Sequence, residues 1–380
     1  MRLVSLMIVL TAVVSFAAPA RAAEPIRIGA VVSATGPASF LGEPEKNTLL
    51  MQADALNAAG GLLGRPVEVV ILDDETDVNK AVLAVDRLLK KDNVAAVVGP
   101  TVSGNSLAVA PKFVAARVPL VSCAAAEKIV KPVNPWVFKT AQSDRLAVAR
   151  ILTHARKAGH KKLAILTVSD GYGQAGREVL KELLPAGGFE LVADEIYGPK
   201  DTDMTAQLTK IKGTAPDAII CWGTNPGPAV VAKNRVQLGM KTPLYMSHGV
   251  ASKKFIELAG ESAEGLLLPA GKLTVADQLP ETDPQKALLL NYAKAYAARF
   301  GTPASAFGGY AYDGLALVAK AIADGNDASP AAIRDNLEKI RNFPGISGVF
   351  GFSPEDHNGL DASAFVMVAI EGGEFRLLAD

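Results

Sequence analysis

An apolar, β-branched run, Val94–Val98, stops at Gly99-Pro100, and a helical segment from Leu107 to Arg117 follows. A second apolar run, Leu120–Ser122, then leads into Ala124-Ala125-Ala126. Runs that are apolar at every position suit strands covered on both faces, which is the condition of a parallel sheet. The spacing of the two runs leaves room for one crossover helix. Both strand ends, with the helix start near Ser103, fall at one sheet edge. Free backbone N–H groups and a hydroxyl at such an edge make a seat for an anionic group, and open α/β sheets bind ligands there. The plainer reading of the same stretch is an ordinary βαβ unit in which Ser103 only caps its helix.

The unit repeats along the chain. Ile26–Val32 reads as a strand ending in Ser33-Ala34-Thr35-Gly36-Pro37. A helix from Glu43 to Ala59 stops at Gly60-Gly61. Val67–Leu72 is the next strand, ending in Asp73-Asp74, and Asp77 caps a helix to Lys91. Trp136–Lys139 is another short strand. The pattern restarts after Ser143 with strands Leu163–Val168, Leu191–Tyr197, Ala218–Trp222 and Leu244–Met246, each preceded by a helix. This predicts two α/β units, each a doubly wound, mostly parallel sheet. The loops Ser169–Gly173, Gly223–Gly227 and Ser247–Ala251 lie at strand C-terminal ends of the second unit. Three helical patterns then come in a row, Pro284–Phe300, Ala304–Asp324 and Pro330–Ile340, before short strands at Val349–Phe352, Phe365–Ile370 and Phe375–Leu378. This helix-rich block could be a third domain, but helices without a sheet of their own need one to pack on, so the chain is expected to cross back and complete the first two units.

Composition narrows the function. The chain has 380 residues, 39 basic against 39 acidic, with 49% hydrophobic and 21% charged residues. That length suits two domains, each with a full core. A net charge of zero gives no support for nucleic-acid or acidic-membrane partners. Arg2, the apolar run Leu3–Ala18 and Ala20-Arg21-Ala22 form a secretory signal peptide over residues 1–22, cut after Ala22. No cysteine near the cut offers a lipid attachment point, and no later stretch stays apolar long enough to span a bilayer. A soluble exported protein is expected, not a lipoprotein. Cys123 and Cys221 each end an apolar run and read as buried free thiols, although export permits a disulfide.

Catalytic constellations are missing. His154, His160, His248 and His357 have no metal-ligand spacing. No Gly-x-Gly-x-x-Gly follows the first strand and no phosphate-binding Walker loop occurs. Gly260–Glu264 resembles a nucleophile elbow but lacks the closing glycine and follows no strand. Asp73, Asp74 and Asp77 read as strand-end turns and a cap rather than a cation site. Neither a cofactor nor a metal is expected, and the protein is read as a binder, not an enzyme.

These residues resemble a family. Thr35-Gly36-Pro37, Asp73-Asp74, the turn Gly99 to Ser106 and Gly260 to Leu267 are similar, in order and spacing, to the leucine/isoleucine/valine-binding proteins, periplasmic receptors of ABC transporters. The resemblance covers essentially the whole mature chain. It implies a two-lobed type I periplasmic binding protein fold with three hinge crossings and a ligand cleft between lobes. Lobe one takes about 24–143 and 272–347, lobe two 144–271 and 348–380. It further implies permease subunits in the inner membrane as partners, and a monomer. A ligand-sensing protein for a signalling partner uses the same fold, but the chain ends at Asp380 with no transmembrane helix.

Residue by residue, the family's amino-acid binders seat the ligand on a Ser, an Ala and a Thr of lobe one and on an acid of lobe two. Here Ser103 and Ala124 match, Ala126 stands at the Thr position and His248 at the acidic one. Two ammonium acceptors are therefore missing. The family's disulfide positions hold Thr76 and Val102. Tyr172 matches a cleft tyrosine, whereas Leu41 and Thr224 replace two others. Gly36–Gly42, Ser247–Ser252 and Phe307–Gly314 look like a branch associated with aromatic acids. Phe40, Leu41, Tyr172 and Trp222 would then supply an apolar wall. The expected ligand is a small carboxylate, an aromatic acid such as a benzoate or phenylpropanoid. The alternative is a branched-chain or other neutral amino acid, with Asp170 taking over the ammonium.

Overall fold

The computed structural model describes residues 24–378; the signal-peptide expectation over residues 1–22 and the chain end at Asp380 lie outside them. The first sheet has five strands: β1 (Ile26–Val32), β2 (Val67–Asp73), β3 (Ala96–Val98), β4 (Leu120–Ser122) and β5 (Val137–Lys139). Their order is β2-β1-β3-β4-β5 and every pairing is parallel. The second sheet takes β6 (Lys162–Val168), β7 (Glu190–Tyr197), β8 (Ala218–Trp222), β9 (Leu244–Met246) and β10 (Leu267–Gly271). Beyond the two-strand piece of β11 (Phe343–Pro344) and β12 (Val349–Phe350), it is completed by β13 (Phe365–Glu371) and β14 (Glu374–Leu377). Its order is β14-β13-β10-β9-β8-β6-β7, antiparallel only at the β10, β13 and β14 edge. The two α/β units are those that the alternation of apolar runs and helices predicted, and together they form the type I periplasmic binding protein architecture that the resemblance implied.

Burial explains why the strands lack polar alternation. All three residues of β3, of β4 and of β5 are buried, because helices cover both faces of the first sheet. The helix Ala306–Gly325 lies on the first lobe and buries most of its length, from Ala306 to Ile322. Its Gly308 and Gly314 allow close approach: a Cβ on Gly308 would lie 2.5 Å from the Tyr292 hydroxyl, and one on Gly314 2.7 Å from Val98. The late helices thus cross back, as expected.

Three segments pass between the sheets, at 140–143, at 271–272 and near 364–365. The third falls later than the expected division at 347. Phe350, Phe352, Leu360 and Ala364 are buried in the same cluster as Ile28, Val98 and Phe138 of the first sheet, and the Lys139 N–H donates to the His357 carbonyl. Residues 349–364 therefore belong with the first lobe. Their short strand is also only Val349–Phe350, since the chain then turns to pack Phe352 edge-on against Phe138. Buried side chains stitch the crossings. Gln142 Nε2 donates to the Ser347 carbonyl at 2.7 Å, and Thr140 Oγ1 to the Tyr310 carbonyl at 2.8 Å. Asn358 Nδ2 donates to the Ala141 carbonyl at 3.0 Å. Each bond satisfies a backbone carbonyl shielded from water, which is costly to leave unpaired.

Cys123 and Cys221 are buried free thiols on different lobes. Burial pushes the Cys221 thiol up to about 12 and the Cys123 thiol well up too, so neither is a nucleophile. Among the described residues no helix is long and apolar enough to cross a membrane.

Candidate functional site

A cavity of about 350 Å³ lies between the lobes, at the C-terminal ends of β3, β4, β6, β8 and β9. First-lobe lining includes Leu41, Glu45, Thr101, Ser103, Ala124 and Phe307; the second lobe adds Asp170, Tyr172, Tyr197, Thr224, Asn225 and His248. That size falls within the range of small-ligand pockets.

Ser103 is the first residue of the helix Ser103–Ala116, and Val102 holds the cap position without a side-chain bond. Ser103 is thus not a cap. Its Oγ accepts the Ala126 N–H at 3.2 Å, which leaves its hydroxyl proton to donate elsewhere. The first intrahelical bond, from the Ser106 N–H to the Val102 carbonyl, leaves the preceding N–H groups at the cavity edge. A hydroxyl proton and a helix N-terminus therefore converge there, a geometry suited to a carboxylate.

Ala124 also lines the cavity, as do Leu41, Tyr172, Thr224 and His248. Three expected residues stand behind the wall. Ala126 is fully buried and contributes only its N–H to Ser103. Phe40 is half-buried and packs edge-on against Phe307, with ring centroids 5.9 Å apart; Phe307 is the residue that reaches the cavity. Trp222 is completely buried, its indole laid so tightly on the helix Gly171–Ala186 that a Cβ on Gly176 would sit 2.0 Å from Nε1. A residue at a strand end can point into the core or out to the edge, and sequence alone did not separate the two.

His248 is 3% exposed. Its ring sits among Phe365, Tyr172 and Trp222, with centroids at 5.1, 5.7 and 5.8 Å. Nδ1 lies 3.3 Å from the Tyr172 hydroxyl, and Nε2 has no hydrogen-bond partner. Burial, with the Lys139 ammonium nearby as a lesser cause, lowers its pKa to about 3. The imidazole is therefore neutral near pH 7, and its Nε2 is a buried donor or acceptor without a partner. Lys139 and Asp144 are a fully buried opposite-charge pair behind it; burial pulls each toward its neutral form while the partner holds it toward charge.

Sequence reasoning missed Asn225 and Glu45. Asn225 is 7% exposed and neither polar atom of its amide has a partner. The sequence places the loop Gly223–Gly227 at a strand end, but not the burial of Asn225 within it. Glu45 is 1% exposed and accepts a hydrogen bond from the Thr101 hydroxyl. Its signal was its place one turn after Leu41, on the same helix face. Asp170 reaches the lining too, but its carboxylate is engaged as the cap of the helix Gly171–Ala186, accepting the Gly173 N–H at 2.8 Å. Where the resembling family carries a bridge, Thr76 instead ties the loop before the helix Ser39–Ala58. Its Oγ1 donates to the Thr35 carbonyl and accepts the Ala38 N–H, both at 3.1 Å.

Two α/β lobes with a cavity between them, lined by residues at strand ends, form the architecture of a small-ligand receptor. Residues 25–374 match the family described as Periplasmic binding protein. The Leu/Ile/Val/Thr/Ala-binding protein of Pseudomonas aeruginosa is 24% identical over 345 residues, covering 90% of this chain and 89% of that protein. The Leu/Ile/Val-binding protein BraC3 of Rhizobium johnstonii is 26% identical over 367 residues, 96% of each. An extracellular ligand-binding receptor from Rhodopseudomonas palustris superposes with a TM-score of 0.87 at 31% identity, over 93% of this chain and 99% of that one. A Streptococcus pneumoniae branched-chain amino acid transporter substrate-binding protein, solved with isoleucine, gives 0.82 at 27% identity, over 93% and 99%. The chain belongs to the Leu/Ile/Val-binding family of periplasmic binding proteins. The relatives are named as binding proteins, and the Streptococcus pneumoniae protein as the substrate-binding protein of a transporter.

Proposed function

We propose that the cleft captures a small carboxylate lacking an α-ammonium group, an aromatic acid of the benzoate or phenylpropanoid kind, for delivery to ABC permease subunits in the inner membrane. One observation carries this reading: His248, at the position where the resemblance places an acid, is a buried neutral imidazole with a free Nε2. An α-ammonium brought into a closing cleft needs an acceptor, and leaving a buried charge unpaired costs about 3–5 kcal/mol. Ala126 offers no hydroxyl and Asp170 already caps a helix. Ser103 and the helix N-terminus keep the carboxylate seat, and Leu41, Phe307 and Tyr172 supply apolar walls for a ring. The protein acts as a periplasmic monomer whose lobes, 24–143 with 272–364 and 144–271 with 365–378, close by hinge motion.

The second reading is a branched-chain amino acid. It is favoured by what the relatives' names say of them and by Glu45, an acid in the cavity lining. Titration calorimetry with leucine, isoleucine, valine, benzoate, hydroxybenzoates and phenylpropanoid acids separates the two. Micromolar or tighter binding of an aromatic acid supports the first; leucine binding with no response to any aromatic acid replaces it by the second.

A further inference from the structure

The first-lobe floor of the cavity carries a polar group that the carboxylate seat does not use. Glu45 projects from the helix Ser39–Ala58 between Leu41, one turn before it, and Phe307 and Tyr310, one turn apart on the helix Ala306–Gly325. These residues and Cys123 all line the cavity. Thr101 fixes the carboxyl: its Oγ1 accepts the Ser33 N–H at 2.9 Å and gives its proton to Glu45 Oε2. Thr101, in the loop before the helix, bonds Glu45, whereas Ser103, the first residue of that helix, bonds the Ala126 N–H. The first-lobe lining thus holds two polar groups with different partners, Glu45 and Ser103, together with the side chains of Leu41, Phe307 and Tyr310.

A buried carboxyl held by one neutral hydroxyl, without a cation beside it, is expensive as an anion. Burial, aided by the neighbouring Asp74 carboxylate, pushes it well above the ordinary glutamate range. In that state it both donates and accepts a hydrogen bond. A phenolic hydroxyl also does both, so the two groups are matched and neither carries a net charge into the cleft.

We propose that Glu45 is a specificity-determining residue, reading a ring hydroxyl remote from the ligand's carboxylate, so that the receptor selects hydroxylated aromatic acids over their unsubstituted parents. This rests on the aromatic-acid reading above. A site built to hydrogen-bond a hydroxyl rejects the analogue lacking it, because its own polar group is then buried without a partner.

Matched pairs test this: benzoate with 4-hydroxybenzoate, and 3-phenylpropanoate with its 4-hydroxyphenyl analogue. Each is titrated calorimetrically into the parent protein, Glu45→Gln and Glu45→Leu, with thermal unfolding checking that each variant is folded. The parent is expected to favour the hydroxylated member of at least one pair by about tenfold or more. Glu45→Leu should bring that ratio below about threefold while the parent acid keeps its affinity, and Glu45→Gln, which still donates and accepts, should retain part of it. An equal ratio in the parent protein, or one unchanged in a folded Glu45→Leu, overturns the hydroxyl subsite and leaves the aromatic-acid reading standing. Leucine binding that Glu45→Gln abolishes, with neither acid pair bound, makes Glu45 an ammonium partner and overturns both.

Discussion

On the first lobe, the cavity's named polar groups already have partners. Ser103 holds the Ala126 N–H, Thr101 bonds Glu45, and Asn105 donates to Asp74 at 2.8 Å. On the second lobe two lining residues, His248 and Asn225, keep buried polar atoms without a hydrogen-bond partner: Nε2 of the first and both amide atoms of the second. A lobe whose polar groups brace one another is pre-organised, and binding there costs little reordering. A lobe with buried unpaired groups carries a desolvation cost that a correctly shaped ligand relieves. The first lobe is read as the anchor. The second gains most from closure.

The sharpest way to break this contrast is to introduce a negative charge on the second lobe. His248→Glu places a carboxylate opposite an anionic ligand, and an uncompensated buried charge costs about 3–5 kcal/mol. Aromatic-acid affinity should fall roughly hundredfold or more. Calorimetric binding within tenfold of the parent would mean that position 248 does not face the bound anion.

The same histidine makes a prediction about acid stability. Its folded pKa, about 3, lies below the ordinary histidine value. The unfolded chain therefore binds the extra proton first, and the neutral ring's advantage is intact above about pH 6.5 and lost as pH falls toward 3. Asp313, raised by burial to about 7, works in the opposite sense over part of that range, so the parent's profile alone is not diagnostic. Unfolding free energies of the parent and His248→Gln, compared at pH 7 and pH 4.5, isolate it. The parent should lose about 2–3 kcal/mol relative to the variant; a constant gap would show that the ring is not desolvated.

For the anchor, Ser103→Ala removes a donor to a charged group, worth about 1.5–3 kcal/mol, or roughly ten- to a hundredfold in affinity. Affinity within twofold of the parent would reduce Ser103 to a brace for Ala126. The smallest effect is expected at Asn225. Asn225→Ala removes one neutral hydrogen bond, about 1 kcal/mol or roughly fivefold. It also removes a buried unpaired amide from the empty protein, so the unliganded variant should unfold no earlier than the parent. A lower melting temperature with unchanged affinity would move Asn225 from ligand binding to structure and weaken the contrast between lobes.

Much of this molecule was legible before any coordinates. Fully apolar strands such as Ala96–Val98 announce a sheet covered on both faces, and Asp77 announces its helix, accepting the Asn79 and Lys80 N–H groups as a cap should. Helices with no sheet of their own announced the chain's return. These features are local or follow from burying one face, so periodicity carries them. The orientation of single side chains at a strand end is different. Trp222 and Thr224 are two residues apart, yet one is sealed against Gly176 and the other faces the cavity. Glu45 reads as one more surface glutamate until the helix carrying Phe307 and Tyr310 folds over it. Ser103 reads as a ligand donor or a cap, and its partner, the Ala126 N–H 23 residues later, comes only with the fold. Sequence determined the sheets, the helices and the edge where a ligand can sit. Only the packing of distant segments decided which side chains line the cavity and which of their polar atoms remain free, because burial and hydrogen-bond partnership belong to pairs of residues rather than to any one of them.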